Sequence, residues 1–375
     1  MPPVAARPLD QIVTFLCNNI SLLQKKQILA GFDGFIDTIV KPVRKYGAKG
    51  ECEYFDSIAE FGAFIGGHSH KSKSIQYEVL QKRPGGNLAN FTAALDALSL
   101  STTAIGMFSN EAGVIDPFFE NLGEKRYSYH KAGSAIAFEF NDGKVFFSPA
   151  NVPDIQHDEK MFLRIENVFP DFCKAIASAD INAFLNWSEL PFAHDLWNDV
   201  FSNAISTAEK DKTRFVFFDL CDTGAKRYSE IEEVVSLIKK TGERRGTILS
   251  LNKNEALDLS GKMGDQNQNM EETAEHLFER LCLDELVIHQ HTESLGVSTL
   301  GGMVTEPCVF NKKPKISTGA GDHFNAAYCC ATLAALPIVE KLRFANAYSA
   351  AYVAKGVSPG LRYFSKRRSN SGSVT

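Results

Sequence analysis

The stretch Ile28-Leu29-Ala30-Gly31-Phe32-Asp33-Gly34-Phe35-Ile36-Asp37 begins with a short apolar run and ends in glycines and carboxylates. Other short apolar runs recur along the 375-residue chain, at 102–108, 183–187, 215–220, 247–251 and 285–289. Such runs are typical of strands that are buried on both faces of a sheet. Segments with apolar residues at helical spacing lie between many of them, for example Leu88, Phe91, Leu95 and Leu98. Strands that alternate with helices predict a mainly parallel sheet covered by helices on both sides.

Three further stretches have mixed polar content and predict a small second sheet; they are residues 38–46, 74–80 and 134–148. The third stretch contains Asn141-Asp142-Gly143, which is a hairpin turn signal. We interpret this second sheet as a lid over a site. We expect a helical N-terminal extension over residues 1–27, a main domain over 28–360 and a basic, disordered tail over 361–375.

The composition excludes several classes of protein. The net charge is −5, from 40 basic and 45 acidic residues, which argues against a protein that binds nucleic acid through general basicity. No run of 18 apolar residues occurs and the first ten residues carry no secretory signal, so we expect neither a membrane partner nor export. The eight cysteines are scattered without a CxxC pair, which is typical of free thiols in a reducing compartment and predicts a cytoplasmic protein.

A glycine-rich segment in front of a helical stretch is the sharpest chemical signal. It reads Ser317-Thr318-Gly319-Ala320-Gly321-Asp322. Small residues at the start of a helix let backbone N–H groups approach a ligand, and together with the positive end of the helix they form an anion site. A carboxylate beside such a site, Asp322, is suited to accept a proton from a hydroxyl that attacks a phosphate. The alternative is a structural loop in which Asp322 only caps the helix.

A second glycine-rich turn reads Pro84-Gly85-Gly86-Asn87-Leu88-Ala89-Asn90 and opens the helix that carries Phe91. Its two amides, Asn87 and Asn90, are three residues apart and can share one helix face. Because amides both donate and accept hydrogen bonds, this pair suits a polyhydroxylated ligand. The alternative is a loop–helix junction that is capped by Asn87.

Polar side chains also follow two of the predicted strands. Asp33 and Asp37 follow the first strand, at the carboxyl end where α/β sheets bind ligands. Asn252 and Glu255 follow the strand at 247–251, and their oxygen atoms are of the kind that orients Mg²⁺ and its waters. Solvated loop acids and a favourably placed glutamate at a helix start are the alternatives.

Together these four segments resemble the ribokinase-like (PfkB) carbohydrate kinase family. That family has a PGG-x-x-x-N turn in its first quarter and a DTxGAGD-x-F segment near its C-terminus, and residues 84–90 and 317–324 stand in those places. The resemblance spans residues 28–360. It implies a three-layer α/β/α sandwich with a mainly parallel central sheet and a small β lid. It also implies an ATP-dependent phosphotransferase that, with Mg²⁺ bound, moves the γ-phosphate of ATP to a hydroxyl of a sugar.

By position, the resemblance implies a role for each matched residue. Asp322 takes the place of the catalytic base, and the anion hole corresponds to Gly319, Ala320 and Gly321. The implied substrate contacts are Gly85, Gly86, Asn87, Asn90 and one of Asp33 and Asp37. The implied Mg²⁺ element is Asn252 with Glu255, acting through water. The implied nucleotide-binding residues are Asn252, His289, His291, Thr318 and Asn346.

The sequence departs from the family pattern at three places. Ile316 stands where the signature has its leading Asp, which helps to bind a monovalent cation in relatives, so activation by potassium stays open. The stretch His289-Gln290-His291 stands where a Thr-x-Gly nucleotide loop is expected, so the preferred nucleotide stays open. Asp37 comes six residues after Gly31 instead of five, so either Asp33 or Asp37 fits the role of sugar contact.

Two rival functions fit parts of the sequence. A kinase of a nucleoside or of a phosphorylated sugar has the same fold, and for a phosphosugar basic residues such as Lys41, Arg44 or Arg83 would hold the phosphate. A non-catalytic sugar-binding relative would explain the departures from the pattern, although the intact Gly-Ala-Gly-Asp segment argues against it. An exposed lid edge also invites a second subunit, so a homodimer through the lid strands is one alternative for the oligomeric state.

Overall fold

The computed structural model describes residues 6–47, 50–149, 160–265, 269–309, 311 and 314–365. Its strands are β1 (Ile28–Gly31), β2 (Phe35–Tyr46), β3 (Cys52–Tyr54), β4 (Tyr77–Gly85), β5 (Thr102–Gly106), β6 (Lys125–Ser128), β7 (Gly133–Phe140), β8 (Gly143–Phe147), β9 (Ile181–Phe184), β10 (Asp211–Asp219), β11 (Arg245–Asn252), β12 (Glu285–His289), β13 (Glu293–Ser298) and β14 (Gly302–Pro307). Its α-helices are α1 (Leu9–Asn18), α2 (Ile20–Leu23), α3 (Ile58–Gly66), α4 (Asn87–Ala97), α5 (Met161–Val168), α6 (Phe172–Ser178), α7 (Ala193–Val200), α8 (Tyr228–Gly242), α9 (Lys253–Lys262), α10 (Met270–Leu281), α11 (Ala320–Leu333), α12 (Ile338–Lys355) and α13 (Arg362–Ser365).

The predicted apolar runs form one large sheet with the strand order β14-β13-β12-β11-β10-β9-β1-β5-β6. The strands from β12 to β6 pair in parallel, and β13 and β14 add an antiparallel edge. Within the sheet, Ile28 of β1 lies opposite both Ile181 and Thr102. Since the parallel strands end on the same side of the sheet, the polar residues that follow β1, β10 and β11 come close together.

Helices cover the sheet on both faces, which confirms the three-layer arrangement. Because successive residues of a strand point to opposite faces, Ile28 and Leu29 enter two different apolar cores. The core that contains Leu29 is closed by residues of α5 to α10, and the core that contains Ile28 by residues of α1, α4, α11 and α12. The predicted apolar face is buried at all four positions, three of them in α4 and the fourth, Leu98, directly after it.

The second sheet confirms the predicted lid. Strand β2 pairs antiparallel with β3 and β4 and parallel with β7, and β7 and β8 form a hairpin that turns at 141–142. The strand expected at 74–80 lies instead at 77–85, because Pro84 and Gly85 pair with Ile36 and Phe35 of β2. The lid has a small core of its own, which is built from Phe55, Phe61 and Phe140.

Helices α1 and α2 lie within the segment predicted to be a helical extension. Helix α1 buries Ile12, Val13 and Leu16 in the same core as α12. At the other end, α13 covers the first part of the predicted tail, and residues 366–375 lie outside the described residues. The domain boundaries themselves stay a prediction. None of the helices in the described part of the chain combines the length and the apolar character that a membrane crossing needs.

Candidate active site

Residues 317–322 form a wall between two cavities. Gly319 has a φ of 86°, in the left-handed region that favours glycine, and the turn that it makes starts α11. One cavity has a volume of about 740 Å³ and is lined from this wall by Ser317, Ala320 and Gly321. The other has a volume of about 310 Å³ and is lined from this wall by Thr318, Gly319 and Asp322. None of the described residues lines both cavities.

Asp322, the predicted base, is buried in the first turn of α11. Its Oδ2 accepts a hydrogen bond from Nδ2 of Asn90 at 3.0 Å. Burial and the negative charge of Asp219 raise the pKa of Asp322 well above its usual range, and the Asn90 hydrogen bond opposes that rise. A carboxylate with a raised pKa is a stronger base than a free aspartate. Because Gly319 and not Asp322 occupies the cap position, a pure capping role does not describe this residue.

Asp33 anchors the first turn of α4. Its Oδ2 accepts from the backbone N–H of Asn87 at 2.8 Å, and its Oδ1 accepts from the backbone N–H of Leu88 at 3.0 Å. Nδ2 of Asn186 donates to the same Oδ2 at 2.5 Å. Complete burial raises the pKa of Asp33 to about 7, against the effect of these three hydrogen bonds. Asp33 lines neither cavity.

Asp37 lies on β2 and lines the smaller cavity. Burial raises its pKa, and the charges of Arg83 and Lys144 oppose that rise. The two predicted glycines explain how both carboxylates fit. A Cβ atom on Gly85 would lie 2.2 Å from the Asp37 carboxyl group, and one on Gly86 would lie 2.6 Å from Oδ2 of Asp33. The PGG turn therefore makes room for the two acids of the first loop.

The two predicted amides, Asn87 and Asn90, both line the smaller cavity. Gly86 and not Asn87 is the cap of α4, so the capping alternative for Asn87 is wrong. Nδ2 of Asn87 donates to Oδ2 of Asp219 at 3.1 Å and to Sγ of Cys221 at 3.0 Å. Both contacts use Nδ2, so they hold the amide at the cavity wall without using its oxygen.

Asn252 and Glu255 form a reciprocal cap at the start of α9. Oδ1 of Asn252 accepts from the backbone N–H groups of Asn254 and Glu255, and Oε2 of Glu255 accepts from the backbone N–H of Asn252 at 2.8 Å. The helix-start role that we gave as the alternative for Glu255 is therefore observed. Asn252 also lines the larger cavity, so the cap does not remove it from the site. Burial and the charge of Asp219 raise the pKa of Glu255 to about 8.

The other predicted nucleotide contacts divide between the two cavities. His289, His291 and Asn346 line the larger cavity, whereas Thr318 lines the smaller one. Burial lowers the pKa of His289 to about 4, so this imidazole is neutral at pH 7, and its ring centroid lies 5.1 Å from that of Phe324. Nδ2 of Asn346 donates to the backbone oxygens of residues 306 and 307, at 3.1 and 3.3 Å.

The family model for prokaryotic ketohexokinases matches residues 18–367 of this chain. The chain belongs to the prokaryotic ketohexokinase family. A ketohexokinase from Haloferax volcanii is 21% identical over 341 residues, which cover 89% of this chain and 88% of that protein. A structure of Arabidopsis thaliana ribokinase complexed with ribose and ATP has a TM-score of 0.55 at 17% identity, over 90% of this chain and 97% of that one. The structure of adenosine kinase from Sinorhizobium meliloti has a TM-score of 0.60 at 15% identity, over 91% of this chain and 97% of that one.

These comparisons confirm the ribokinase-like fold and the expected class of enzyme. The protein is a carbohydrate kinase of the ketohexokinase family, and ATP-dependent phosphorylation of a sugar is its reaction. The two solved structures are less than 25% identical to this chain, so they show the shared fold alone.

Beside Asn87 of the smaller cavity lies a buried carboxylate, Asp219, that was not among the predicted site residues. It is the last residue of β10; its Oδ2 accepts from Nδ2 of Asn325 at 2.9 Å, and its Oδ1 from the backbone N–H of Cys221 at 3.0 Å. Its charge raises the pKa of both Asp322 and Glu255. The signal was present, because Asp219 ends a buried parallel strand, which is the criterion that selected the residues after β1 and β11.

Two of the three basic residues that a phosphosugar kinase would use are engaged elsewhere on the lid. Nζ of Lys41 lies 5.5 Å from the centre of the Tyr54 ring, and Arg44 forms an ion pair with Glu60 at 2.7 Å. Arg83 is the exception, because its charge acts on Asp37. Its Nε and Nη2 atoms are buried and have no hydrogen-bond partner among the described residues.

Proposed function

We propose that this kinase transfers the γ-phosphate of ATP to a hydroxyl of a ketohexose, with Asp322 as the general base. The observation that carries the proposal is the shared wall, because Asp322 faces the smaller cavity while Ala320 and Gly321 face the larger one. If the phosphate donor binds in one cavity and the phosphate acceptor in the other, the phosphoryl group is transferred past this wall. The substrate class rests on the family and on its Haloferax relative, both of which are described as ketohexokinases.

The smaller cavity suits the sugar. Asp37, Asn87 and Asn90 supply a carboxylate and two amides, which together donate to and accept from neighbouring hydroxyls. We assign the sugar contact of the first loop to Asp37, because the oxygens of Asp33 already accept three hydrogen bonds. The roles of Gly85 and Gly86 follow from this assignment, since they give the two acids room.

The larger cavity suits the nucleotide. His289 and His291 take the place of the Thr-x-Gly loop, and the neutral imidazole of His289 beside Phe324 offers a flat, weakly polar surface to a base. The amide of Asn346 offers an acceptor oxygen from α12. Thr318 faces the other cavity, so its assignment to the nucleotide rests on the resemblance alone.

Mg²⁺ fits the charge at this site. Burial and the negative charge of Asp219 raise the pKa values of Asp322 and Glu255, and a divalent cation beside them would oppose that repulsion. Asn252 and Glu255 would hold the ion through its waters, and the ion would neutralise charge on the phosphates of ATP. Among the described residues, no group of three or more His, Cys, Asp or Glu side chains is placed to hold a metal directly, so nucleotide oxygens would complete its shell. Because Ile316 replaces the leading Asp of the family signature, activation by a monovalent cation stays an open question.

The chemistry is an in-line transfer. The sugar hydroxyl oxygen attacks the γ-phosphorus, the bond to the β–γ bridging oxygen breaks, and Asp322 accepts the hydroxyl proton. The N–H groups of Gly319, Ala320 and Gly321 stabilise the negative charge of the transferring group. The lid strands contribute Phe35, Ala135 and Phe146 to the smaller cavity and help to exclude the water that would hydrolyse ATP.

The rival substrates are less well supported. Lys41 and Arg44 are engaged on the lid itself, which argues against a phosphosugar. Arg83 acts on Asp37 and has two buried nitrogen atoms without a partner among the described residues, which argues for one, so the panel below includes a phosphosugar. A nucleoside kinase rests on likeness of fold alone. A homodimer through the lid strands and a cytoplasmic location stay predictions.

The test is ADP release with Mg²⁺-ATP in the presence of D-fructose, D-glucose, D-ribose, adenosine and fructose 1-phosphate. We expect release with the ketohexose, and a loss of about 1,000-fold or more in Asp322→Asn. The matched control is Asp96→Asn, because Asp96 is a half-buried carboxylate of α4 that lines neither cavity and accepts from the backbone N–H of Gly123 at 2.9 Å. Release with adenosine alone, or an Asp322→Asn variant as active as the control, would contradict the proposal.

A further inference from the structure

Three consecutive carbonyl groups of the wall segment are held from behind by side chains. The carbonyl oxygen of Thr318 accepts from the Tyr352 hydroxyl at 2.8 Å. The carbonyl oxygen of Gly319 accepts from Nδ1 of His323 at 2.7 Å. The carbonyl oxygen of Ala320 accepts from the Ser349 hydroxyl at 2.8 Å. All three donors lie on α11 or α12.

A peptide group is planar, so fixing the C=O of one residue also fixes the N–H of the next. The carbonyls of residues 318, 319 and 320 therefore determine where the N–H groups of Gly319, Ala320 and Gly321 point. In this structure the Ala320 N–H donates to the Ser317 oxygen at 3.2 Å, and the other two N–H groups donate to no backbone oxygen of the described residues. These are the N–H groups of the anion hole in the proposed function.

We propose that Tyr352, His323 and Ser349 are positioning residues that aim the anion-hole N–H groups at the transferring phosphoryl group. The proposal rests on the proposed function, because it assigns a task to residues behind the anion hole. Ser349 and Tyr352 are three residues apart and lie on one face of α12, which points them at the same turn. Gly319 is confined further, since a Cβ atom there would lie 3.1 Å from the Tyr352 hydroxyl oxygen.

His323 has a defined tautomer in this arrangement. A carbonyl oxygen only accepts, so Nδ1 carries the proton, and Nε2 accepts from the Ser358 hydroxyl at 2.8 Å. The imidazole also stacks on the Tyr352 ring, with 3.4 Å between the ring centroids and 15° between the planes. The two positioning residues therefore support each other as well as the turn.

The first test compares Tyr352→Phe with Tyr348→Phe. Tyr348 is a matched control, because its buried hydroxyl also donates to a backbone carbonyl, that of Ala94 at 3.0 Å, but outside the wall segment. We expect Tyr352→Phe to lower kcat about 10- to 100-fold, which is the cost of a misplaced catalytic group. The Tyr352 hydroxyl also interacts with Arg83, whose charge acts on Asp37. The fall in kcat should nevertheless exceed any rise in the sugar KM, since the anion-hole contact that the variant weakens forms only in the transition state. Tyr348→Phe should keep wild-type kcat.

A second readout does not depend on turnover. ADP with aluminium fluoride mimics the transferring phosphoryl group, so its affinity should fall in Tyr352→Phe by a factor similar to that of kcat, while the affinity of ADP alone stays unchanged. His323→Asn keeps an N–H donor near the position of Nδ1 and should retain activity that His323→Leu loses. If the wild-type enzyme phosphorylates a sugar but Tyr352→Phe matches Tyr348→Phe in both readouts, this inference is overturned alone. If the wild type neither turns over a sugar nor binds ADP with aluminium fluoride, the proposed function fails together with it.

Discussion

The acids of this site differ in the hydrogen bonds that their oxygens accept. Asp33 accepts from two backbone N–H groups of α4 and from Asn186, so its carboxylate belongs to the helix cap. Asp37 faces the smaller cavity from a lid strand, where cationic groups lie nearby. Asp219 accepts from three protein donors and acts on its neighbours mainly through its charge. Residue type alone therefore does not indicate which acid meets the sugar.

Gly85→Ala is expected to weaken sugar binding. The added Cβ would lie 2.2 Å from the Asp37 carboxyl group, which stands at the end of its side chain and can move aside. Losing a hydrogen bond from a charged group costs about 1.5–3 kcal/mol, so the sugar KM should rise about tenfold or more. The ATP KM should not change. Initial-rate measurements check this, with Gly62→Ala of α3 as the control, since a Cβ there meets nothing within 4 Å. An unchanged sugar KM would remove Asp37 from the sugar site.

Glu255→Gln is expected to change how stability depends on pH. The pKa of Glu255 is raised from 4.5 to about 8, so between these values the folded protein holds a proton that the unfolded chain has released. The free energy of unfolding therefore falls as pH rises from about 5 to about 8. Glutamine keeps the capping acceptor but does not titrate, so the variant should show a shallower fall, by about 1 kcal/mol or more. Urea unfolding of the nucleotide-free protein at pH 5 and pH 8 measures this change in the free energy of unfolding.

The control for this experiment is Glu230→Gln. Glu230 also accepts from a backbone N–H at the start of its helix, α8, but that hydrogen bond, from Arg227, lowers its pKa. The stability that it contributes is present above its unfolded pKa and is lost only on acidification. Its removal should therefore leave the decline between pH 5 and pH 8 as it is. An equal slope in Glu255→Gln and wild type would show that Glu255 is ionised throughout this range.

At the scale of whole elements, the lid depends on a few aromatic rings. Phe61 of α3 lies against β7, with ring centroids 5.7 Å from Phe138 and 5.4 Å from Phe140. The start of α3 is tied to the β7–β8 hairpin, because the backbone N–H of Ile58 donates to Oδ1 of Asp142 at 2.9 Å. This small core is separate from the two cores of the main sheet. The lid can therefore loosen while the main sheet stays folded.

Phe61→Ala is expected to loosen the lid selectively. Truncation of a buried phenylalanine costs about 3–5 kcal/mol of stability. A core of only three buried residues cannot lose that much and stay packed, so we expect the lid to open. Hydrogen exchange at the amides of β7 and β8 should become faster, and the sugar KM should rise more than the ATP KM. Phe278→Ala, in a partly buried position of α10 against the main core, controls for a general loss of stability. Equal exchange in β7 for both variants would contradict this view.

The elements of the main sheet could be predicted from the sequence, because strands buried on both faces leave apolar runs that need no tertiary information. The end of β4 could not, since Pro84 and Gly85 become strand residues only by pairing with β2. The same holds within the site. Its motifs were visible, but the choice between Asp33 and Asp37 depends on which one α4 occupies with its N–H groups. Tyr352 and Ser349, whose hydroxyls donate to the carbonyls of the turn, lie 34 and 29 residues from their partners and leave no local signal.

At the scale of the whole molecule, the lid presents an apolar edge. Strand β4 pairs only with β2 among the described strands, and Tyr77, Val79 and Leu80 on it are 44%, 51% and 45% exposed. Exposed edges of this kind favour pairing with another chain. We therefore expect a homodimer, with a mass by light scattering of twice one chain. Val79→Lys should give the mass of one chain, and Val114→Lys, at an exposed valine outside the lid, should not. A wild-type protein with the mass of one chain would contradict this.

The two cavities meet at the wall of residues 317–322 and have no lining residue in common. If each cavity holds one substrate, as we propose, substitutions that line one cavity should change the recognition of that substrate, and their free-energy effects should add to those made in the other. Evolution could exchange the phosphate acceptor without disturbing the phosphate donor, and a protein engineer could do the same. Among the described residues, the wall is the one segment that contributes to both cavities. Under the proposed function it is therefore the part of the site where donor and acceptor preference would change together.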